Sequence, residues 1–66
     1  MTVKQENYIV IDKGAASEEM IESAKEDLKL DAEHGYKGKY VKDSIVFKVQ
    51  EKEDEVYVCA EWEEEV

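Results

Sequence analysis

Apolar residues recur along this chain at two different periods, and the change of period marks out the elements. Residues 7–11, Asn-Tyr-Ile-Val-Ile, form a short run with β-branched side chains, and Asp12-Lys13-Gly14 closes it with turn chemistry. This predicts a first strand. From residue 17 to residue 33 the period becomes helical. Met20, Ile21, Ala24, Leu28 and Ala32 fall within about 120° of arc and make one apolar stripe. Ser17 is a good N-cap, because its hydroxyl can accept from an early backbone N–H. Glu18 and Glu19 suit the positive end of the helix dipole, and Gly35 is placed to cap the C-terminus. Leu30 lies off the stripe.

Period two returns after the helix. Val41, Ile45, Phe47 and Val49 share one parity, with Lys42, Ser44, Val46 and Lys48 on the other. The polar tract Gln50–Glu55 reads as an exposed hairpin loop. A last strand follows, with Val56, Val58, Ala60 and Trp62 on one face and Tyr57, Cys59 and Glu61 on the other. The order β-α-β-β predicts an α+β domain of two layers, one helix packed on a three-stranded sheet. Trp62, Phe47 and Leu28 are the largest apolar side chains at inward positions and are expected to be buried together. One helix covers one sheet face. Val46, Tyr57 and Cys59, with one parity of the first strand, should then lie on the other, and an uncovered apolar face on a small domain predicts a homodimer.

Length and composition limit what such a fold can be. The 66 residues allow a single domain spanning residues 1–66. No proline, only three glycines and 42% hydrophobic residues speak for a folded chain rather than a linker. No apolar run is long enough to span a membrane. The N-terminus lacks the apolar core of a signal peptide, and one cysteine makes no internal disulfide, so the expected location is the cytoplasm.

Charge changes the picture most. The chain has 18 acidic residues against nine lysines and no arginine, for a net charge of -9. Residues 17–34 hold seven acids and two lysines, and residues 51–66 hold eight acids and one lysine. Residues 35–50 are basic, with four lysines and one acid. Glu19, Glu22, Glu26 and Glu33 lie within about 60° of one another on the helix, in a row about 21 Å long. Glu51, Glu53, Asp54 and Glu55 cluster in the hairpin loop, and Glu61, Glu63, Glu64 and Glu65 at the C-terminal end. This charge exceeds the roughly 2–8 units that solubility asks of a small domain, and self-repulsion lowers stability. Nucleic acid is excluded as a direct partner by the sign of the charge. A basic protein is the partner that these twelve carboxylates suit.

In size, net charge and patterned carboxylates the whole chain resembles the small acidic DNA-mimic proteins that bacterial viruses make early in infection, and among them the dimeric inhibitors of the bacterial histone-like protein HU. No diagnostic motif carries the likeness. It implies host takeover by occupation of the DNA-binding surface of an HU-like protein and loss of DNA from it. The competing reading is a small acidic protein–protein interaction or accessory module without DNA mimicry.

Chemistry is expected to be absent. His34 reads as a helix C-terminal residue favoured by the dipole, and Cys59 as a small strand residue. Neither has a third group to orient it, so no catalytic residue is assigned and the chain is expected not to be an enzyme. Residues 51–55 lack the spacing and central glycine of a calcium loop, and no metal or cofactor is expected. Gly35–Gly38 is not a phosphate loop, since no Gly-Lys-Ser/Thr opens a helix there. Lys37, Lys39 and Lys42, interleaved with Tyr36 and Tyr40, serve to neutralise neighbouring acids or grip a partner.

Overall fold

The computed structural model describes residues 1–66. Its sheet is built around its last strand. Strand β1 (Thr2–Asp12) leads through a 3₁₀ turn (Lys13–Ala15) to helix α1 (Glu18–His34), followed by β2 (Lys39–Tyr40), β3 (Val46–Glu51) and β4 (Glu55–Glu65). β4 is central. β1 runs antiparallel along one side of it, from Thr2 opposite Glu65 to Asp12 opposite Glu55. β2 and β3 follow one another along the other side, with Lys39 opposite Glu65 and Val46 opposite Glu61. One helix on one face of an antiparallel sheet is the expected α+β arrangement.

Three details differ from the sequence expectation. The hairpin loop is confined to Lys52–Asp54, because Gln50 and Glu51 continue the ladder of β3 and Glu55 opens β4. β1 extends back to Thr2, because eleven residues of β4 are present to pair with it. Lys4 sits opposite Glu63 and reaches Glu61 at 3.8 Å, so charge pairing continues the ladder where apolar residues run out. The expected middle strand is divided in two, giving four strands. Asp43 turns the chain at φ 62°. Ser44 repairs the gap: its hydroxyl donates to Val41 O at 2.7 Å and accepts from Glu63 N–H at 3.0 Å, in place of a ladder bond.

α1 begins and ends as its sequence dictates. Ser17 Oγ accepts from Met20 N–H at 3.2 Å. Gly35 ends the helix at φ 82°, in the region that favours glycine, and its N–H donates to Ala32 O and Asp31 O. The buried seam is Ala24, Leu28 and Ala32, one residue per turn. It packs on Ile11, Val58, Ala60 and Trp62, with Ile9, Ile21, Ile45 and Phe47 half-buried around this core. Phe47 is therefore a rim residue of the core, not a fully buried one. β3 lies at the sheet edge, and the helix does not cover its ring completely. Met20 marks the exposed border of the stripe.

Candidate functional site: carboxylate surfaces and a buried carboxylate

Burial of Ala24, Leu28 and Ala32 turns the opposite face of α1 to solvent. Glu19, Glu22, Glu26 and Glu33 are all exposed there. Lys25 reaches Glu22 at 3.9 Å, the one ion pair on this helix. Leu30 is 65% exposed, and Glu26, Asp27 and Glu33 stand within one turn of it.

The second cluster lies at the end of the molecule where β3 meets β4. Glu51, Glu53, Asp54 and Glu55 are exposed around this turn. The turn is tied to the 3₁₀ turn that follows β1, because Lys13 N–H donates to Asp54 O at 3.0 Å and Lys13 Nζ to Lys52 O at 3.2 Å.

The third group does not act as one. Glu61, Glu63 and Glu65 alternate outward on the sheet face away from the helix. The amino terminus lies 3.5 Å from Glu65, and Lys4 lies beside Glu61. Glu64 has the opposite parity and is 0% exposed. It is not part of a partner-binding surface. The expectation fails at this residue because the inward parity of Val56, Val58, Ala60 and Trp62 continues through position 64.

Glu64 is held by four N–H donors. Its Oε2 accepts from Tyr36 N at 2.8 Å and from the Trp62 indole Nε1 at 2.9 Å. Its Oε1 accepts from Lys37 N at 2.8 Å and Gly38 N at 3.0 Å. Burial alone raises the carboxyl pKa. The Trp62 indole and the N–H groups of Lys37, Gly38 and Tyr36 outweigh it and hold the group at about 2. Tyr36 also packs edge-on against Trp62, with ring centroids 5.5 Å apart. The Gly35–Gly38 segment is thus an anion-binding nest whose anion belongs to the chain itself.

The carboxylates divide between opposite layers. The row on α1 faces one way, Glu61, Glu63 and Glu65 face the other, and the hairpin cluster sits at one end of a molecule 41 × 19 × 15 Å in extent. No flat partner touches all of them on one copy.

The sheet face away from the helix carries an apolar patch. Val46 is 65% and Tyr8 59% exposed, Val10 is exposed beside them, and Tyr57 and Cys59 are half-buried. The expected parity for Val46, Tyr57 and Cys59 is what the register shows, and Tyr8 and Val10 supply the contribution of the first strand. The Tyr8 and Tyr57 rings lie 5.9 Å apart. The Tyr57 hydroxyl donates to Glu55 at 3.3 Å, and the negative charge of Glu55 pushes the phenol pKa up. His34 is exposed in the last turn of α1, far in sequence and layer from Cys59. No three His, Cys, Asp or Glu side chains converge on a point that could hold a metal. No helix is long and apolar enough to cross a membrane. No family model, no curated protein and no solved structure matches the chain.

Proposed function

We propose that this chain is an acidic inhibitor that occupies the DNA-binding surface of a basic, HU-like protein in the cytoplasm of a bacterial host and displaces DNA from it. The observation that carries the reading is the solvent-facing row of Glu19, Glu22, Glu26 and Glu33, beside which stand only Lys25, 3.9 Å from Glu22, and the exposed Lys29. The hairpin cluster Glu51, Glu53, Asp54 and Glu55 extends this charge at one end. A partner that binds DNA presents lysine and arginine to a regular array of negative charge, and this row offers such an array.

A second copy completes the arrangement. Pairing two open sheet faces through Tyr8, Val46, Tyr57 and Cys59 stacks the sheets about 10 Å apart and leaves both helices on the outside. Each outer layer then displays one carboxylate row. Glu61, Glu63 and Glu65 stand on the central strand of the same face, with Glu6 opposite Glu61, and pairing sets them against Lys4, Lys39 and Lys48 of that face.

The same apolar face supports the second reading, an accessory module that binds its partner by apolar burial. Competition against a labelled DNA duplex on a purified HU-like protein separates the two. DNA mimicry gives displacement whose apparent affinity falls steeply as salt rises. Replacing Glu19, Glu22 and Glu26 together by Gln removes about 0.5 kcal/mol each and weakens displacement roughly tenfold. Failure of the parent chain to displace the duplex overturns the proposal. Tight binding to another protein that is insensitive to salt establishes the module.

A further inference from the structure

The carboxylate of Glu64 is compensated without a cation. None of the three ion pairs in the molecule involves it. An ionised carboxylate has about four acceptor positions. All are taken here, two N–H donors to each oxygen, at 2.8–3.0 Å. Three donors are consecutive backbone amides of residues 36–38, and the fourth is the indole of Trp62. These donors stand on two separate elements, the loop after α1 and strand β4. A loop whose successive N–H groups converge on one point has no internal partner for them, so its shape requires an anion.

We infer that the Tyr36–Gly38 loop and the Trp62 indole form a receptor for a small carboxylate, filled in this chain by Glu64, that binds acetate from solution once the Glu64 side chain is shortened. The size match follows from covalent structure. Glu64→Ala removes one methylene and the carboxylate, and acetate has the same four heavy atoms. Formate lacks the methylene and leaves part of the space empty. Benzoate is too large for the four heavy atoms vacated between three backbone amides and the Trp62 indole.

The receptor also joins the two layers. β4 supplies the anion and one donor, and the loop that follows α1 supplies three donors. Loss of the anion therefore releases the loop and β2 together, and acetate restores both.

The test is thermal unfolding of the Glu64→Ala variant in sodium acetate, with sodium chloride at equal ionic strength as reference and the parent chain in parallel. Acetate has so few atoms that its dissociation constant is on the order of millimolar. At 100 mM it raises the variant's midpoint by about 10–20 °C over chloride. Formate does less, benzoate does nothing, and the parent responds equally to acetate and chloride. Adding Trp62→Phe to Glu64→Ala removes one donor and cuts the acetate response several-fold. If the variant is unfolded at room temperature, the same titration is read as recovery of helical circular dichroism. Equal responses of the variant to acetate and chloride, in midpoint or in recovered signal, overturn the inference.

Discussion

Trp62 and Glu64 lie two residues apart on β4 and share its helix-facing side, and the indole Nε1–H of the first donates to Oε2 of the second at 2.9 Å. Both groups need a partner once buried: the indole has one donor to satisfy, and the carboxylate has a charge to spread. Each answers the other. The alternation of a strand makes the pairing automatic, since residues two apart point the same way. The largest core side chain is thereby fixed to the one buried charge, and through that charge to the loop that ends α1.

Stability should depend on pH through this carboxylate. Its value in the folded chain, about 2, lies below the ordinary 4.5. The folded state therefore favours the ionised form. The contribution is complete above about 4.5 and is lost as pH falls towards 2. Protonation of the exposed acids acts oppositely, by relieving the repulsion of a chain at net charge -9. Comparison with Glu64→Gln separates the two effects. Gln places a donor NH₂ among four N–H donors, so the variant should be less stable than the parent at pH 7. The gap should narrow between pH 4.5 and 2. Urea titrations of both proteins across this range measure it, and a gap that stays constant contradicts the assignment.

Core substitutions should follow burial and not size. Leu28 is 0% exposed beneath the helix, whereas Phe47 is half-buried at the edge. Leu28→Ala should cost about 3 kcal/mol, and Phe47→Ala about 2 kcal/mol, below the ~3–5 kcal/mol of a fully buried phenylalanine. A domain of this length has roughly 3–10 kcal/mol in total. Leu28→Ala should thus bring it to the edge of unfolding, and Phe47→Ala should leave it folded. Urea midpoints that rank the two variants in reverse order would show that Phe47 carries more of the core than its exposure allows.

The elements whose boundaries rest on local chemistry were legible in the sequence. Ser17 and Gly35 bound α1 where the capping rules place them, and the seam Ala24–Leu28–Ala32 follows from period alone. The β3–β4 hairpin and the outward parity of Val46, Tyr57 and Cys59 were equally readable. Non-local features were not. Residues 2–6 have no apolar pattern of their own, and they are strand because β4 offers them eleven residues of ladder. The break between β2 and β3 depends on Ser44 meeting the Glu63 backbone. Glu64 hid among three other glutamates, Glu61, Glu63 and Glu65. Its parity with Trp62 was the available signal, but the donors that make burial tolerable come from residues 36–38, and no local pattern announces them.

Gly38 should resist substitution. Its N–H serves Glu64, and a Cβ there would meet the Glu65 backbone, which cannot swing aside like a side-chain tip. Gly38→Ala should destabilise by about 2 kcal/mol or more, although alanine ordinarily stabilises a chain relative to glycine by about 0.4–1 kcal/mol. Thermal unfolding measures the sign. A midpoint at or above that of the parent would mean that the β4 end moves freely.

The phenol of Tyr57 should ionise late. Glu55 accepts its hydrogen bond and repels the phenolate, so the pKa lies above the usual 10. Ultraviolet titration of the parent and of Glu55→Gln should show one tyrosine returning towards ordinary behaviour in the variant. Folding favours the neutral phenol, so its contribution is present below pH 10 and is lost as pH rises through the shifted value. Superimposable titrations would mean that the contact is not formed in solution.

Self-association through the open face should strengthen as salt rises. Tyr8, Val10 and Val46 are exposed on that face, and pairing removes their apolar surface from water at about 25 cal/mol per Å². Opposing this, each copy brings a net charge of -9. Much of the opposition is distant, because the helix row and the hairpin cluster lie outside the paired sheets; Glu6, Glu61, Glu63 and Glu65 on the face itself are offset by Lys4, Lys39 and Lys48. Salt near 0.15 M screens charges beyond about 8 Å, so it weakens that repulsion and leaves burial nearly untouched. Light scattering should show a mass near twice 7.6 kDa at 150 mM salt and a lower mean mass at 10 mM. Val46→Asp places a second carboxylate opposite Glu61 on the paired face, at a residue that is 65% exposed, so it should leave the fold intact and shift the protein to the monomer. A parent chain that stays at 7.6 kDa up to millimolar concentration removes the pairing, and with it the second carboxylate row on which displacement of DNA leans.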